Sequence, residues 1–229
     1  MDPNRSTTPL ALWRLHAASV VGERVDVDVR LDTPTRRARW VDLVAGAGFS
    51  VASGRRPDRL VRERSLADTV GPRLRLLVCG LNPSLFAADA GVGFARPGNR
   101  FWPAALAAEI VTRDRDPLHA LRVDRVGMTD VVKRATPRAE ELSRDEYLAG
   151  VGRLTRLVTW LRPGAVCFVG LAGWRAARDR KAAAGWQPRG IGGVPAYVMP
   201  STSGLNARVP RDELAAHLRA AASGDGPTD

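Results

Sequence analysis

Lysine is almost missing from this chain, with Lys133 and Lys181 the only two, so the surplus of 35 Lys plus Arg over 24 Asp plus Glu is carried by arginine. The formal charge of +11 favours a polyanionic partner and disfavours a freely dissolved scaffold without one. A high-GC coding sequence would produce the same arginine skew, but it does not explain where the arginines sit. Cysteine is equally scarce: Cys79 and Cys167 each lie inside an apolar run, which excludes a disulfide framework and reads as two packed thiols. His16, His119 and His217 are scattered, with no cysteine or carboxylate at ligand spacing, so no zinc or iron-sulfur site is expected. No apolar run reaches 18 residues, and Met1-Asp2-Pro3 opens without a basic segment and apolar block. The expectation is a soluble, cytoplasmic chain with no membrane partner. No Walker A lysine is present, and no Gly-x-Gly-x-x-Gly follows a strand with an acidic residue about 20 positions later. A nucleotide-dependent α/β enzyme is thereby disfavoured, and no cofactor is expected. What remains, 45% hydrophobic and 26% charged residues, suffices for a folded core.

Val25, Val27, Val29 and Leu31 alternate with Asp26, Asp28 and Arg30, the pattern of a half-buried strand over 24–31. Pro34 to Ala47 and a short strand over 49–52 complete a β-α-β unit, and 60–70 reads as a short helix with Ser65 near a turn. Gly71-Pro72 then punctuates the chain. Beyond it, strands are expected over 74–79, 126–132, 165–170 and 194–199. Helices are expected from about residue 97 or 99 to 111, after the Ser143/Glu146 capping box, over 174–184 and over 210–222. This alternation predicts a mostly parallel sheet with helices on both faces, and ligands bind such sheets beyond the carboxyl ends of the strands. The chain divides into an N-terminal extension over 1–70, a main domain over 71–222 and a flexible tail over 223–229.

Two segments lie where that rule places chemistry. One is Gly80-Leu81-Asn82-Pro83-Ser84, continuing to Gly91-Val92-Gly93-Phe94-Ala95-Arg96-Pro97-Gly98-Asn99-Arg100-Phe101-Trp102; the other is Pro200-Ser201-Thr202-Ser203-Gly204-Leu205-Asn206-Ala207-Arg208. Each alone reads equally as a turn leading into a helix. Together with Thr129-Asp130-Val131-Val132-Lys133-Arg134-Ala135-Thr136-Pro137, they resemble the mismatch-specific uracil/thymine-DNA glycosylase family of the uracil-DNA glycosylase superfamily. That family carries Gly-Ile-Asn-Pro-Gly, then Gly-x-x-Phe-Ala-x-Pro-x-Asn-Arg-Phe-Trp, a Thr-[Asn/Lys]-x-Val-x-Arg-x-Thr segment, and Pro-[Asn/Ser]-x-Ser with a Gly-Leu tip. The resemblance covers roughly residues 72–219. Ser84 departs from the family glycine, Ser201-Thr202-Ser203 is closer to the thymine-excising branch, and Ala207 looks like an insertion before Arg208. The fold implied is a three-layer α/β/α sandwich around a mostly parallel four-stranded sheet, with an added N-terminal β-α-β extension.

The implied activity is excision of uracil, and of thymine or damaged pyrimidines, from G mismatches in double-stranded DNA, at the start of base excision repair. The expected partner is DNA holding G·U or G·T mismatches or damaged bases, met by a monomer associated with the nucleoid. Weak pairs cost least to open when a base is flipped out. Asn82 is the catalytic candidate: its amide can orient a water but cannot act as a general base, which predicts a slow enzyme preferring good leaving groups. The resemblance puts an amide in this role and ranks Asp89 and Asp130 below it as bases. Gly80, Leu81, Ser84, Phe94 and Ser201 form the candidate base site, Phe94 by stacking and the turns around Leu81 and Ser201 by backbone N–H groups facing the departing anion. Arg96, Asn99, Arg100, Ser203, Gly204, Leu205, Asn206 and Arg208 form the candidate DNA contacts, with Leu205 as a wedge where the base left. Lys133 falls at a strand end away from Asn82, which argues against a Schiff-base lyase. Non-catalytic binding of mismatched or abasic DNA is the alternative. The extension is left open between an added sheet edge, a DNA-binding arm using Arg36, Arg37, Arg39, Arg55 and Arg56, and a partner site.

Overall fold

A computed structural model describes residues 1–52, 56–204 and 209–227. The N-terminal segment contains α1 (Thr8–Ala18), β1 (Arg24–Asp26), α2 (Pro34–Gly46), β2 (Phe49–Val51) and β3 (Arg59–Arg62). Thr33 starts α2 by accepting a hydrogen bond from the Arg36 N–H, with Pro34 preset for the first turn. After these come β4 (Leu76–Gly80), α3 (Leu85–Ala90), α4 (Phe101–Ala107), the single turn α5 (Pro117–His119) and β5 (Val126–Asp130). The chain ends with α6 (Arg144–Leu161), β6 (Ala165–Val169), α7 (Leu171–Ala177), β7 (Gly185–Trp186), β8 (Ala196–Met199) and α8 (Arg211–Ser223). No described helix is long and apolar enough to cross a membrane.

The central sheet has the order β5-β4-β6-β8-β7. Its first four strands are parallel, and every residue of each is buried; β4, β6 and β8 read accordingly as continuous apolar runs, while β5 ends in buried Thr129 and Asp130. The fifth strand is a two-residue antiparallel edge missed in the sequence, where Gly185 and Trp186 pair with Val198 and Tyr197. Leu76 and Val78 face one layer with Phe101, Trp102 and Leu214. Leu77 and Cys79 face the other with Leu154 and Val158 of α6. Both thiols are buried and free. Ser143 and Glu146 close the expected capping box on α6.

Four expectations need correction. The stretch 60–70 opens as a strand, because β3 inserts between β1 and β2 and pairs antiparallel with both. The strand at 24–31 is paired only over Arg24–Asp26, the partner strand being equally short. The first core helix is confined to Phe101–Ala107, since the Asn99 side chain accepts from the Phe101 N–H and starts it there. The helix at 174–184 begins at Leu171 and ends at Ala177; the Arg178 and Asp179 N–H groups both turn back to the Trp174 carbonyl. Three helices, α1, α3 and the single turn α5, were not foreseen.

The N-terminal segment does not pack by itself. Leu12, Trp40, Leu43 and Leu60 belong to the same apolar cluster as Leu77, Cys79 and Leu154. Thr69 exchanges two 2.9 Å backbone hydrogen bonds with Met128, covering the open edge of β5. Of the three readings left open for this segment, the added edge is the one its backbone supports.

Candidate active site

The carboxyl ends of β4 and β8 carry the two segments singled out in the sequence. Beyond β4, Asn82 is locked by its amide nitrogen, which donates to the Thr136 hydroxyl at 2.8 Å, the Arg134 carbonyl at 3.1 Å and the Pro83 carbonyl at 3.2 Å. The Thr136 hydroxyl gives its own hydrogen to the Arg138 carbonyl at 2.8 Å, so toward Asn82 it can only accept. That settles which end of the amide faces Thr136. Oδ1 is left as the outward acceptor, with no hydrogen bond among the described residues. Thr136 is buried, and no role was assigned to it from sequence; its place in the third matched segment was the only signal. A Thr136 N–H bond to the Pro83 carbonyl fastens the two loops together.

Ser84 caps α3 by accepting from the Ala87 N–H, which gives this serine a structural task. Gly80 has a spatial reason to be glycine: a Cβ there would collide with the Asp130 carboxylate and come within 3.4 Å of the Phe94 ring. Phe94 adopts a left-handed backbone (φ 58°), costing about 1 kcal/mol, and one ring face stacks on Phe101 at 4.2 Å. The ring is half-buried. The Trp102 indole donates to the Gly93 carbonyl at 2.8 Å and pins the loop from below.

The late loop closes against this one. The Arg100 N–H donates to the Thr202 carbonyl at 2.9 Å, its guanidinium to the Val209 carbonyl, and Gly204 lies against the Gly98 backbone. Asn99 and Arg100 thus hold the loops in place, whereas Arg96 is exposed. Ser201 accepts from the Ser203 N–H at 3.3 Å. Leu205, Asn206 and Arg208 lie outside the described residues, as does Arg55. Leu81 packs toward α7, where its side chain fills the space a Cβ at Gly173 would need.

Beneath the β4 and β5 ends lies a buried charge cluster. Asp68 accepts from Lys133 Nζ at 2.7 Å, Arg153 Nη1 at 2.7 Å and the Thr129 hydroxyl at 2.6 Å. Arg153 also donates to the Asp130 carbonyl at 2.8 Å. Burial pushes Asp68 toward its neutral form, but Arg153 and Lys133 together hold its carboxyl below the usual range. For Asp130 the balance tips the other way: burial raises it to about 6, with Asp68 adding to the rise and the more distant Lys133 (3.9 Å) and Arg153 opposing it. The void of about 10 Å³ between Phe94, Thr129 and Asp130 is water-sized. Asp89 is tied through both oxygens to exposed Arg64, whose hydrogen bonds depress its pKa. Neither Asp68 nor Arg153 was a sequence candidate. Among the described residues, no group of three or more His, Cys, Asp or Glu is placed to hold a metal ion.

The site therefore presents an oriented amide oxygen, an aromatic face and a buried carboxyl, all at one end of a parallel sheet. Residues 67–221 match the family model described as the uracil DNA glycosylase superfamily.

Proposed function

The chain belongs to the uracil DNA glycosylase superfamily, and from that premise we propose that it is a monofunctional glycosylase removing uracil from G mismatches in double-stranded DNA. Membership alone makes it a DNA N-glycosylase acting on uracil-type lesions. The finer reading adds the mismatch context, with thymine or damaged pyrimidines as further substrates. The flipped base lies on the ring of Phe94, where ring stacking contributes about 1 to 3 kcal/mol. Asn82 Oδ1 accepts a hydrogen bond from a water and aims its lone pair at C1′. As the C1′–N bond breaks, its electron pair leaves with the base as an anion; the water oxygen bonds to C1′ and gives up a proton through solvent to that anion, and the products are free base and an abasic sugar. An amide does not take up the water's proton at neutral pH, so the reaction depends on bond breaking running ahead of attack. Lys133, largely buried and bonded to Asp68 at 2.7 Å, is not an available amine nucleophile.

The observation that carries the reading is the one-way hydrogen bonding of Asn82 through Thr136 and Arg134. The test is single-turnover base release from a G·U duplex. The wild type is expected to leave alkali-labile sites, and Asn82→Ala to lose about 10²- to 10⁴-fold in rate, the span of a positioned catalytic group, while still binding the duplex. Normal cleavage by that variant would remove Asn82 from the mechanism. Retarded DNA with no released base, across a panel of damaged pyrimidines, would identify a non-catalytic binder.

A further inference from the structure

A concavity of about 580 Å³ lies between the first turns of α6 and the C-terminal end of α7, lined by Arg144, Tyr147, Leu148, Arg175, Arg178 and Arg180. Four of these residues are arginines, and no carboxylate lines the wall. Two guanidinium groups are fixed by the protein: Arg175 donates twice to the Ala182 carbonyl, and Arg178 donates to the Gly190 carbonyl at 2.7 Å while lying over Trp174. Arg144 and Arg180 are exposed and make no ion pair with a described residue. Three nearby carboxylates are engaged elsewhere, while Asp145 is exposed beside Arg144 in the first turn of α6. Glu146 takes both Arg134 nitrogens and the Ser143 N–H, Glu141 accepts from the Arg138 N–H, and Asp179 accepts from the Lys181 N–H.

Both walls adjoin the Asn82 loop. Arg134, whose carbonyl holds the Asn82 amide, pairs with Glu146 in the first turn of α6. Leu81, next to Asn82, packs on Gly173 in α7.

We propose that the concavity between α6 and α7 receives the phosphodiester backbone of the DNA flanking the flipped nucleotide, with Arg144 and Arg180 as its two phosphate contacts. This rests on the reading of the site as one that flips a base. The fixed guanidinium groups of Arg175 and Arg178 set a positive floor, and the exposed pair closes on the phosphates. Each neutralised phosphate releases counterions and steepens the salt dependence of binding by about 0.9 in log–log slope.

The experiment is fluorescence anisotropy of a labelled G·U duplex of about 20 base pairs over a salt series of about 50 to 200 mM. Wild type, the R144A/R180A double variant and the R144K/R180K double variant are compared at matched melting temperatures. The alanine pair is expected to bind about tenfold more weakly at the upper salt and to lose about 2 from the slope, and the lysine pair to keep the wild-type slope. An unchanged slope in the alanine pair overturns the proposal and leaves the concavity for an acidic protein partner. If the alanine pair melts early, R180A alone is read against an expected slope loss of about 1. Base release by the wild type is measured separately: its absence defeats the glycosylase reading while the slope still judges this surface.

Discussion

In the N-terminal segment, Arg30, Arg36, Arg56, Arg59 and Arg64 each meet an aspartate at 2.6 to 3.1 Å, whereas Arg96, in the loop after α3, and Arg144 and Arg180, lining the α6–α7 concavity, meet none among the described residues. Residues 1–70 hold 12 arginines and 9 acids, so they contribute only +3 of the total +11. Exposed pairs of this kind add little to stability, because water and salt screen them. Their main effect is to neutralise, leaving most of the net positive charge to residues 71–229. Arg36 lies between Asp2 and Asp32, Arg37 donates to the Leu31 carbonyl, and Arg39 donates to Asn4 and lies over Trp160 at 4.6 Å. Within the proposed arm, Arg36 and Arg56 are therefore neutralised by aspartates, while Arg37 and Arg39 are tied to neutral groups and keep their charge.

The sharpest break of this contrast is at Asp68, the one acid of residues 1–70 that reaches under the site. Asp68→Ala strands Arg153 and Lys133 as buried cations, and uncompensated buried charge costs about 3 to 5 kcal/mol. Urea unfolding is expected to show that loss, with Asp68→Asn losing less because it keeps an acceptor for the Thr129 hydroxyl. A change below about 1 kcal/mol in Asp68→Ala would mean that the two regions are not joined through this cluster.

Asp130 comes next, and its sign is opposite. Its folded pKa of about 6 exceeds the ordinary 3.8, so the fold prefers the protonated carboxyl. That preference is fully present below about pH 4 and is lost as pH rises through 6, at roughly 1.4 kcal/mol for each pH unit separating the two values. Asp130→Asn mimics the neutral form. It should melt near the wild type at pH 4 and be more stable at pH 8, by at most about 3 kcal/mol. An equal difference at both pH values would show that Asp130 does not carry the titration.

Much of this was legible in the sequence. Three of the four parallel strands, β4, β6 and β8, declared themselves because burial on both faces demands unbroken apolar runs, and the rule that ligands sit at strand carboxyl ends located Asn82 and Ser201. The capping box of α6 is a local signal, readable from Ser143 and Glu146 alone. What stayed hidden depends on partners distant in sequence. Thr136 orients Asn82 across 54 residues, and Asp68 meets Arg153 across 85, so neither pairing leaves a local pattern. The misread stretch at 60–70 fails for the same reason: Arg59–Arg62 is a strand only because β1 and β2 stand on either side. The β7 edge is two residues long, too short for any periodicity.

The smallest expected effect tests the contrast from its quiet side. Arg59 hydrogen-bonds both oxygens of Asp26, at 2.8 and 3.0 Å, and the pair is exposed. The Asp26 carboxyl is held low by those bonds, and the arginine already has its counter-charge. Arg59→Ala should therefore leave the melting temperature close to that of the wild type. Because it removes no phosphate contact, it should leave the salt slope of duplex binding where the wild type has it. Measured beside R144A/R180A at the same salt concentrations, a flat result for Arg59 and a shallower slope for the pair would place the DNA footprint at the α6–α7 concavity. A slope loss of about 1 on removing Arg59 would show instead that the aspartate yields its arginine to DNA, and that the N-terminal segment contacts the duplex after all.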